Sequence, residues 1–344
     1  MDFLGFIIIC VKVLLVFTAT MLGVLVMVYA ESRVSAFIQD RVGPNRVGPN
    51  GLLQPIADGI KFLMNEDIIP DRADKPIFIL APAILLIPAL MTFAVIPFGS
   101  PITLFGREIS LQVADINVGI LYILALTSIS VYGIVLAGWS SNNKYSLLGG
   151  LRSSAQLISY ELAMGLAVVS IILLSGSLKL NDIISNQQGS FLSWNIFKQP
   201  LAFLIFLVAV YAETNRLPFD LSEAEQELVG GYHTEYSSMK FAMFFMAEYA
   251  NMITAAALTV TLFFGGWDVP LLDEGSLGIV GTIISVLSFI MKMAFFLFLF
   301  IWVRWTFPRF RYDQLMRLGW KVLLPLALVN IFLTAGYLTL QASN

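Results

Sequence analysis

Eight stretches of the chain are apolar enough to cross a lipid bilayer, and this feature constrains the fold most. A spanning helix needs roughly 20 mostly apolar residues. Of all residues, 58% are hydrophobic and only 12% are charged, whereas soluble domains carry about 25% charged residues. We therefore expect one integral membrane domain, residues 1–344, with an all-α fold: a polytopic membrane helix bundle of about eight transmembrane helices. The spans are predicted at about 3–29, 77–98, 118–138, 156–176, 200–214, 239–264, 279–303 and 322–341.

Three of these segments have features that need interpretation. The first segment has Asp2 where a signal peptide has basic residues, and it is too long for a cleavable signal peptide. We therefore expect it to span the membrane. The second contains Pro82, Pro88 and Pro97, which predict a kinked or broken helix. The fifth is short for a span.

The charges of the loops predict the topology and support counting the fifth segment. Loops 30–76, 139–155, 215–238 with Lys240, and 304–321 carry fifteen Lys and Arg residues, and the alternate loops carry three. Basic residues concentrate in cytoplasmic loops. We therefore expect these four loops in the cytoplasm and both termini outside. Without a fifth span, the last basic loop would change sides.

The cytoplasmic loop 30–76 contains two patterns. Residues 41–50 read RVGPN-RVGPN, and their Gly-Pro pairs indicate rigid turns, although a binding role stays open. Apolar residues then follow near helical spacing, which predicts an amphipathic helix. That helix would lie either on the membrane surface or packed on the bundle. The apolar positions are Leu52, Leu53, Ile56, Ile60, Leu63 and Met64.

Several classes of function are excluded by composition. One Cys (Cys10) and one His (His233) exclude an internal disulfide, Cys- or His-rich metal sites and bis-histidine haem ligation. We therefore expect no metal site and no redox centre in this chain. A formal charge of −3 argues against nucleic acid as a partner. Neither the Gly-rich dinucleotide motif nor the phosphate-binding loop motif occurs.

Ionisable residues inside the predicted spans are the first candidates for function. Each costs at least about 2.5–3.5 kcal/mol at a helix centre, so a chain that keeps them usually uses them. Glu161, Glu213 and Glu248 lie on three consecutive spans, and Lys292 lies well inside the seventh. All three carboxylates fall in the cytoplasmic half, which favours an ion path. The alternative is that each pairs with a basic or hydroxyl partner for packing only.

The loop at 213–238 is strongly acidic. It holds six carboxylates between 213 and 235 and a single Arg. Glu223 and Glu227 are four residues apart and would share a helix face, whereas Glu225 points elsewhere. Crowded carboxylates titrate as a coupled group, so the pattern predicts a proton-loading site. Salt bridges to another protein of the same assembly are the structural alternative.

Four long stretches carry more specific patterns: 31–61, 212–236, 247–252 and 305–316. The first two read ESRVSAFIQDRVGPNRVGPNGLLQPIADGIK and AETNRLPFDLSEAEQELVGGYHTEY, and the others read AEYANM and WTFPRFRYDQLM. Through them the chain resembles, over nearly its full length, the H-type membrane subunit of proton-pumping NADH:quinone oxidoreductase, respiratory complex I.

The resemblance implies a membrane subunit at the joint between the hydrophilic and membrane arms. Its partners would be peripheral-arm quinone-site subunits, neighbouring membrane subunits, the lipid bilayer and quinone. NADH, FMN and iron–sulfur clusters would belong to partner subunits. The location would be a bacterial or mitochondrial inner membrane. By position, the entrance of the quinone chamber would be lined or supported by Glu31, Arg33, Arg41, Asp58 and Lys61. The acid cluster that begins the proton path would comprise Glu161, Glu213, Glu223, Glu225, Glu227 and Glu248.

Two other functions share some of these features. The membrane component of an energy-converting membrane hydrogenase has related acid-bearing helices but handles no quinone. A stand-alone secondary transporter would show inverted repeats with paired broken helices, and the two halves of the chain show no convincing repeat.

Overall fold

The computed structural model describes residues 3–104, 107–220, 229–270, 272 and 277–343. Within these ranges the chain is a bundle of α-helices with one antiparallel hairpin, β1 (Ile102–Leu104) and β2 (Arg107–Ile109), in which Ile102 pairs with Ile109. The long helices are α1 (Phe3–Ile38), α3 (Lys75–Met91), α4 (Gly119–Ser140), α5 (Lys144–Ser175), α9 (Ser238–Phe263), α10 (Ile279–Thr306) and α12 (Leu324–Ser343). The short helices are α2 (Gln54–Met64), α6 (Leu180–Ser185), α7 (Asn195–Lys198), α8 (Pro200–Glu213) and α11 (Tyr312–Arg317).

We call the end of the bundle that carries Arg216 and Arg304 the inner end. The opposite end, which carries the hairpin, is the outer end. In the predicted topology the inner end faces the cytoplasm.

Seven helical runs in the described ranges are long and apolar enough to cross a membrane. The last of them joins α11, a π-helical turn (Leu318–Leu323) and α12 into 32 residues. This confirms the predicted all-α polytopic fold. The fifth predicted segment forms α8, which has 14 residues, or roughly 21 Å at 1.5 Å per residue. Its Ala202, Phe206 and Ala209 are fully buried, whereas Leu204 is 57% exposed, so protein covers one face of this short helix.

Two helices are longer than their apolar segments predicted. Helix α1 continues to Ile38, which places Glu31 on its inner end. Helix α5 begins at Lys144, where the Asn143 side chain accepts a hydrogen bond from the Tyr145 amide at 2.9 Å. The predicted loop at 139–155 is therefore wrong for most of its length. Small residues there lowered the apolar signal, but they allow close packing: a Cβ on Gly149 would lie 2.8 Å from the Gly231 backbone.

The proline-rich segment is helical through two of its three prolines and ends before the third. Helix α3 is continuous through Pro82 and Pro88 and changes to a 3-10 turn only at Thr92–Val95. Of the predicted kinked or broken helix, a break at Pro82 or Pro88 is therefore not found, whereas the helical run does end before Pro97. Both prolines are buried against neighbouring helices, which supply packing where the backbone hydrogen bonds are lost.

The amphipathic helix predicted after the RVGPN repeat is α2. Its apolar residues Ile56, Ile60 and Leu63 are 49–67% exposed, whereas Pro55 is buried and the Phe62 ring packs 5.9 Å from that of Phe241. The exposed apolar face favours the membrane-surface interpretation over a helix buried in the bundle.

The core of the bundle lies around α8 and α9. Fully buried alanines on α9, among them Ala247, Ala250 and Ala256, let neighbouring helices approach closely. Helix α3 packs on α4 and α9, α4 on α5, and α5 on α8. This arrangement brings the acid-bearing faces of α5, α8 and α9 around one space. Helices α1, α10 and α12 are peripheral, with large exposed apolar faces.

Candidate functional site

A buried arginine joins two carboxylates at the inner end. Arg216, in the loop after α8, donates from Nη1 to both oxygens of Glu31 on α1, at 2.8 and 3.1 Å. Its Nε forms an ion pair with Oε1 of Glu248 on α9 at 2.5 Å. The Tyr249 hydroxyl donates to Glu31 Oε2 at 2.7 Å, and Arg304 on α10 forms a further ion pair with Glu31. We call these five residues the Arg216 cluster.

The charges of the Arg216 cluster balance. Two guanidinium groups face two carboxylates, which permits burial of Arg216 and Glu31 beside the partly buried Glu248 and Arg304. Arg216 is 3% exposed. Burial by itself lowers the pKa of its guanidinium, but Glu248 and Glu31 outweigh burial and raise that pKa above its ordinary value. Arg216 therefore stays charged. Its Cζ lies 4.6 Å from the Tyr249 ring centroid, a cation–π contact.

The three acids predicted from the spans line one cavity. Glu161 on α5, Glu213 on α8 and Glu248 on α9 face a space of about 20 Å³, enough for about one water molecule. We call it the acid cavity. Adjacent positions on α9 therefore have different roles: Glu248 faces this cavity, while Tyr249 turns toward α1.

Uncharged polar residues complete the acid cavity, and the sequence patterns did not predict them. Thr127, Asn215 and Asn251 line it, and the Ser128 hydroxyl hydrogen-bonds to the Glu161 carboxylate. Such residues are uncharged and scattered along the chain, so neither charge nor hydropathy patterns single them out. Only the packing of four helices shows that they share a space with the acids.

A second cavity continues from the acid cavity toward the outer end. It also measures about 20 Å³ and shares Thr127, Glu213 and Asn251 with the first. Its far wall includes Thr254, whose hydroxyl lies 3.0 Å from that of Thr92. We call it the inner-path cavity. Polar groups thus extend beyond Glu213 into the bundle.

An apolar cavity of about 300 Å³ lies on the other side of the Arg216 cluster, between α1, α2 and α9. Met21, Phe62 and Met246 contribute apolar walls, and Asp58 and Tyr249 are its polar members. Asp58 accepts a hydrogen bond from Gln54 at 3.0 Å. We call this space the lateral cavity. A cavity of this volume is in the lower range for small-molecule sites.

The other residues predicted for the chamber entrance do not line the lateral cavity. Arg33 is half-buried and its Nε donates to the Tyr29 hydroxyl at 3.4 Å. Arg41 is exposed and donates to Gln39 at 2.6 Å. Lys61 is exposed on α2. Glu31 reaches the cavity only through Tyr249.

The acidic loop is only partly described. Glu223, Glu225 and Glu227, including the predicted shared face of Glu223 and Glu227, lie outside the described residues. Among its other acids, Asp220 pairs with Arg309 at 3.0 Å, and Glu235 accepts a hydrogen bond from Asn143 at 2.6 Å. The sequence patterns identified neither Arg309 as the partner of Asp220 nor Arg304 as the partner of Glu31. The two residues of these pairs are 89 and 273 residues apart along the chain.

The part of the chain that the structure describes contains no cluster of metal-ligating side chains. There, no three His, Cys, Asp or Glu side chains are grouped so that they could hold a metal ion. The cavities are instead lined by carboxylates, hydroxyls, amides and apolar groups.

The chain is similar to known membrane subunits along nearly its whole length. Residues 11–335 match the family model described as NADH dehydrogenase. An H-type subunit of the NADH-quinone oxidoreductase of Geobacter sulfurreducens is 56% identical over 342 residues, covering 96% of this chain and 95% of the relative. Its counterpart in Cytophaga hutchinsonii is 52% identical over 330 residues, covering 94% and 95%. Subunit 8 of the Rhodothermus marinus enzyme is 57% identical over 330 residues, covering 93% and 94%.

Both kinds of match far exceed what a shared fold alone would require. They agree with the polytopic membrane bundle described above. The chain therefore belongs to the NADH dehydrogenase family, as an H-type membrane subunit of NADH-quinone oxidoreductase.

Proposed function

We propose that this chain forms part of a quinone-binding chamber and couples quinone reduction to proton translocation. As a subunit of an oxidoreductase complex, it works with the other subunits of that complex. We further propose that NADH, FMN and iron–sulfur clusters are held by those partners, that peripheral-arm subunits complete the chamber, and that the membrane is a bacterial inner membrane.

One observation carries the proposal: the Arg216 cluster lies between the lateral cavity and the acid cavity. Tyr249 lines the lateral cavity and hydrogen-bonds to Glu31. Glu248 lines the acid cavity and pairs with Arg216. Arg216 contacts both carboxylates, so a change of charge on one side acts on the other through a single guanidinium.

The lateral cavity suits the passage of a lipid-soluble quinone. Its walls are mainly methionine, aliphatic and aromatic side chains, and Met239 at its lining is 40% exposed. Methionine side chains adapt their shape easily, which suits a moving, flexible tail. The exposed apolar face of α2 lies beside this opening and would anchor it at the membrane surface.

The acid cavity and the inner-path cavity suit the first steps of a proton path. Reduction of quinone to quinol takes up two electrons, supplied by partner subunits, and two protons. Negative charge that develops on the quinone side attracts Arg216 and Arg304. This attraction weakens the contact between Arg216 and Glu248 and favours a proton on Glu248. Glu213 and Glu161 then receive the proton through the cavity they share with Glu248.

The test is Glu248→Gln in the assembled complex, reconstituted in vesicles. This substitution keeps the shape of the side chain and removes its charge. Glu66→Gln is the matched control, because Glu66 is an exposed carboxylate in the loop 30–76, on neither cavity. We expect Glu248→Gln to depress both quinone reduction and proton uptake with assembly intact, and Glu66→Gln to behave like wild type. Full activity with full pumping in the Glu248→Gln complex would remove Glu248 from the path.

A further inference from the structure

The inner-path cavity ends one helical turn before a group of packed aromatic rings. Val210 on α8 and Leu258 on α9 line the cavity. Four residues further toward the outer end of α8 is Phe206, and five residues further on α9 is Phe263. These separations are about 6 and 7.5 Å along the helices at 1.5 Å per residue. The two rings are fully buried, and their centroids lie 5.4 Å apart.

Six rings form one continuous group at this level, with neighbouring centroids 5.0–6.5 Å apart. They come from the segment before α7, from α8, from the end of α9 and from α10. We call them the aromatic plug: Trp194, Phe203, Phe206, Phe263, Phe264 and Phe296. Phenylalanine rings offer neither donors nor acceptors with which a chain of water molecules could bond.

A fixed positive charge lies at the outer side of the plug. Lys292 on α10 donates to the backbone carbonyls of Phe264, Gly266 and Asp268 at 2.9, 2.9 and 2.7 Å. These carbonyls belong to the end of α9 and the turn after it, where a helix leaves carbonyl groups without intrahelical partners. An ammonium has three N–H donors, and these carbonyls accept from it. The Lys292 Nζ also lies 4.9 Å from the Trp194 ring centroid.

The turn that receives Lys292 is held in place by its backbone and by a buried amide. Gly265 and Gly266 both have left-handed φ values, 69° and 56°, which glycine adopts without steric cost. The Gln187 side-chain oxygen accepts hydrogen bonds from the amides of Gly265 and Asn195, each at 3.1 Å. Lys292 is thus a charge held by a rigid turn rather than a mobile side chain.

Membrane proteins use apolar constrictions and fixed positive charges to exclude protons and cations from a pore. In this chain the aromatic plug and Lys292 follow one another beyond the inner-path cavity. We propose that the aromatic plug and Lys292 form an outer ion barrier that leaves the acid cavity and the inner-path cavity open to the inner side alone. This inference rests on the proposed proton path, because a barrier matters only where protons enter the bundle.

The barrier is tested with Phe206→Ala, which opens the plug, and Lys292→Met, which keeps length and removes charge. Phe332→Ala is the control, because Phe332 is a 75% exposed ring on α12. Each complex is checked for assembly and reconstituted in vesicles. Passive proton permeability is measured without substrate, and the stimulation of NADH oxidation by an uncoupler is measured with it. Phe203→Ala replaces any variant that fails to assemble.

We expect the two barrier variants to raise passive proton permeability several-fold and to lose most of the uncoupler stimulation, while NADH oxidation itself continues. The Phe332→Ala vesicles should remain as tight as wild type. Assembled barrier variants that are as tight as wild type would overturn the inference. That result is distinct from failure of the proposed function, which would appear as undiminished pumping in the Glu248→Gln complex.

Discussion

Arg216 Nε lies 2.5 Å from Glu248 Oε1, so the loop after α8 is joined by charge to the acid-bearing face of α9. The same guanidinium binds Glu31 on α1. One buried side chain therefore determines how the charges on either side of it are balanced. The consequences of removing it follow from the groups it would leave behind.

We expect Arg216→Gln to destabilise the subunit and abolish quinone reduction. Removing one partner from a buried ion pair leaves an uncompensated charge, which costs about 3–5 kcal/mol. The thermal midpoint of the purified complex should fall. The double variant Arg216→Gln/Glu248→Gln should recover much of that stability, because Glu31 and Arg304 still balance, but it should stay inactive. Arg317→Gln, at an exposed position, is the control. Equal stability of the single variant and wild type would contradict a buried ion pair at this position.

The lateral cavity predicts a difference between two neighbouring charges on α2. Asp58 lines the cavity, whereas Lys61 is exposed beside it. Asp58→Leu should raise the KM for long-tailed quinones and lower their reduction rate, because the added apolar bulk fills the passage. Electron transfer from NADH to a soluble artificial acceptor should be unchanged, since in the proposed function that path lies in partner subunits.

Lys61→Leu should remain close to wild type in both assays. If Asp58→Leu lowers both activities equally, the substitution has disrupted assembly rather than the passage. If Lys61→Leu has the larger effect on KM, the passage lies on the other face of α2.

The distribution of basic residues predicts the orientation of the bundle. Fifteen Lys and Arg residues lie in the four segments predicted as cytoplasmic loops, and three lie in the segments predicted as the alternate loops. A reporter that is active only outside the cytoplasm should be active when fused after Asn344 and inactive when inserted after Asn65. A cytoplasmic C-terminus would rule out the eight-span topology.

His233 predicts a pH dependence of stability. Its ring packs 5.1 Å from that of Tyr232 and 5.2 Å from that of Phe241, and burial lowers its pKa to about 4. The unfolded chain takes up a proton near pH 6.5, so the unfolded state binds more protons than the folded state. The contribution of this group is complete above about pH 6.5 and is lost as pH falls toward about 4.

The thermal midpoint of the purified complex should therefore decrease across this window. In the His233→Phe variant, which keeps an aromatic ring among its neighbours, the thermal midpoint should decrease less over the same pH range. If the thermal midpoints of the wild-type and His233→Phe complexes change equally between about pH 6.5 and 4, His233 does not titrate as its burial requires.

The amino-acid sequence by itself determined the membrane bundle, most helices and the three acids of the spans. These are local properties: a run of about 20 apolar residues has to cross the bilayer as a helix, and an ionisable residue within it costs free energy wherever the helix packs. Local signals were misleading where packing compensates for composition. The small residues before Gln156 continue α5, and the prolines of α3 do not break it, because neighbouring helices supply contacts that hydropathy does not measure.

Only the tertiary structure decided which charges meet and where the cavities lie. Glu31 is 185 residues from Arg216 and 273 from Arg304, so no spacing rule relates them. The lateral cavity includes Asp58 and excludes Lys61, although the two are one helical turn apart. The rotation of each helix about its axis decides such differences. That rotation is determined by the packing of all helices together, which a single stretch of sequence does not contain.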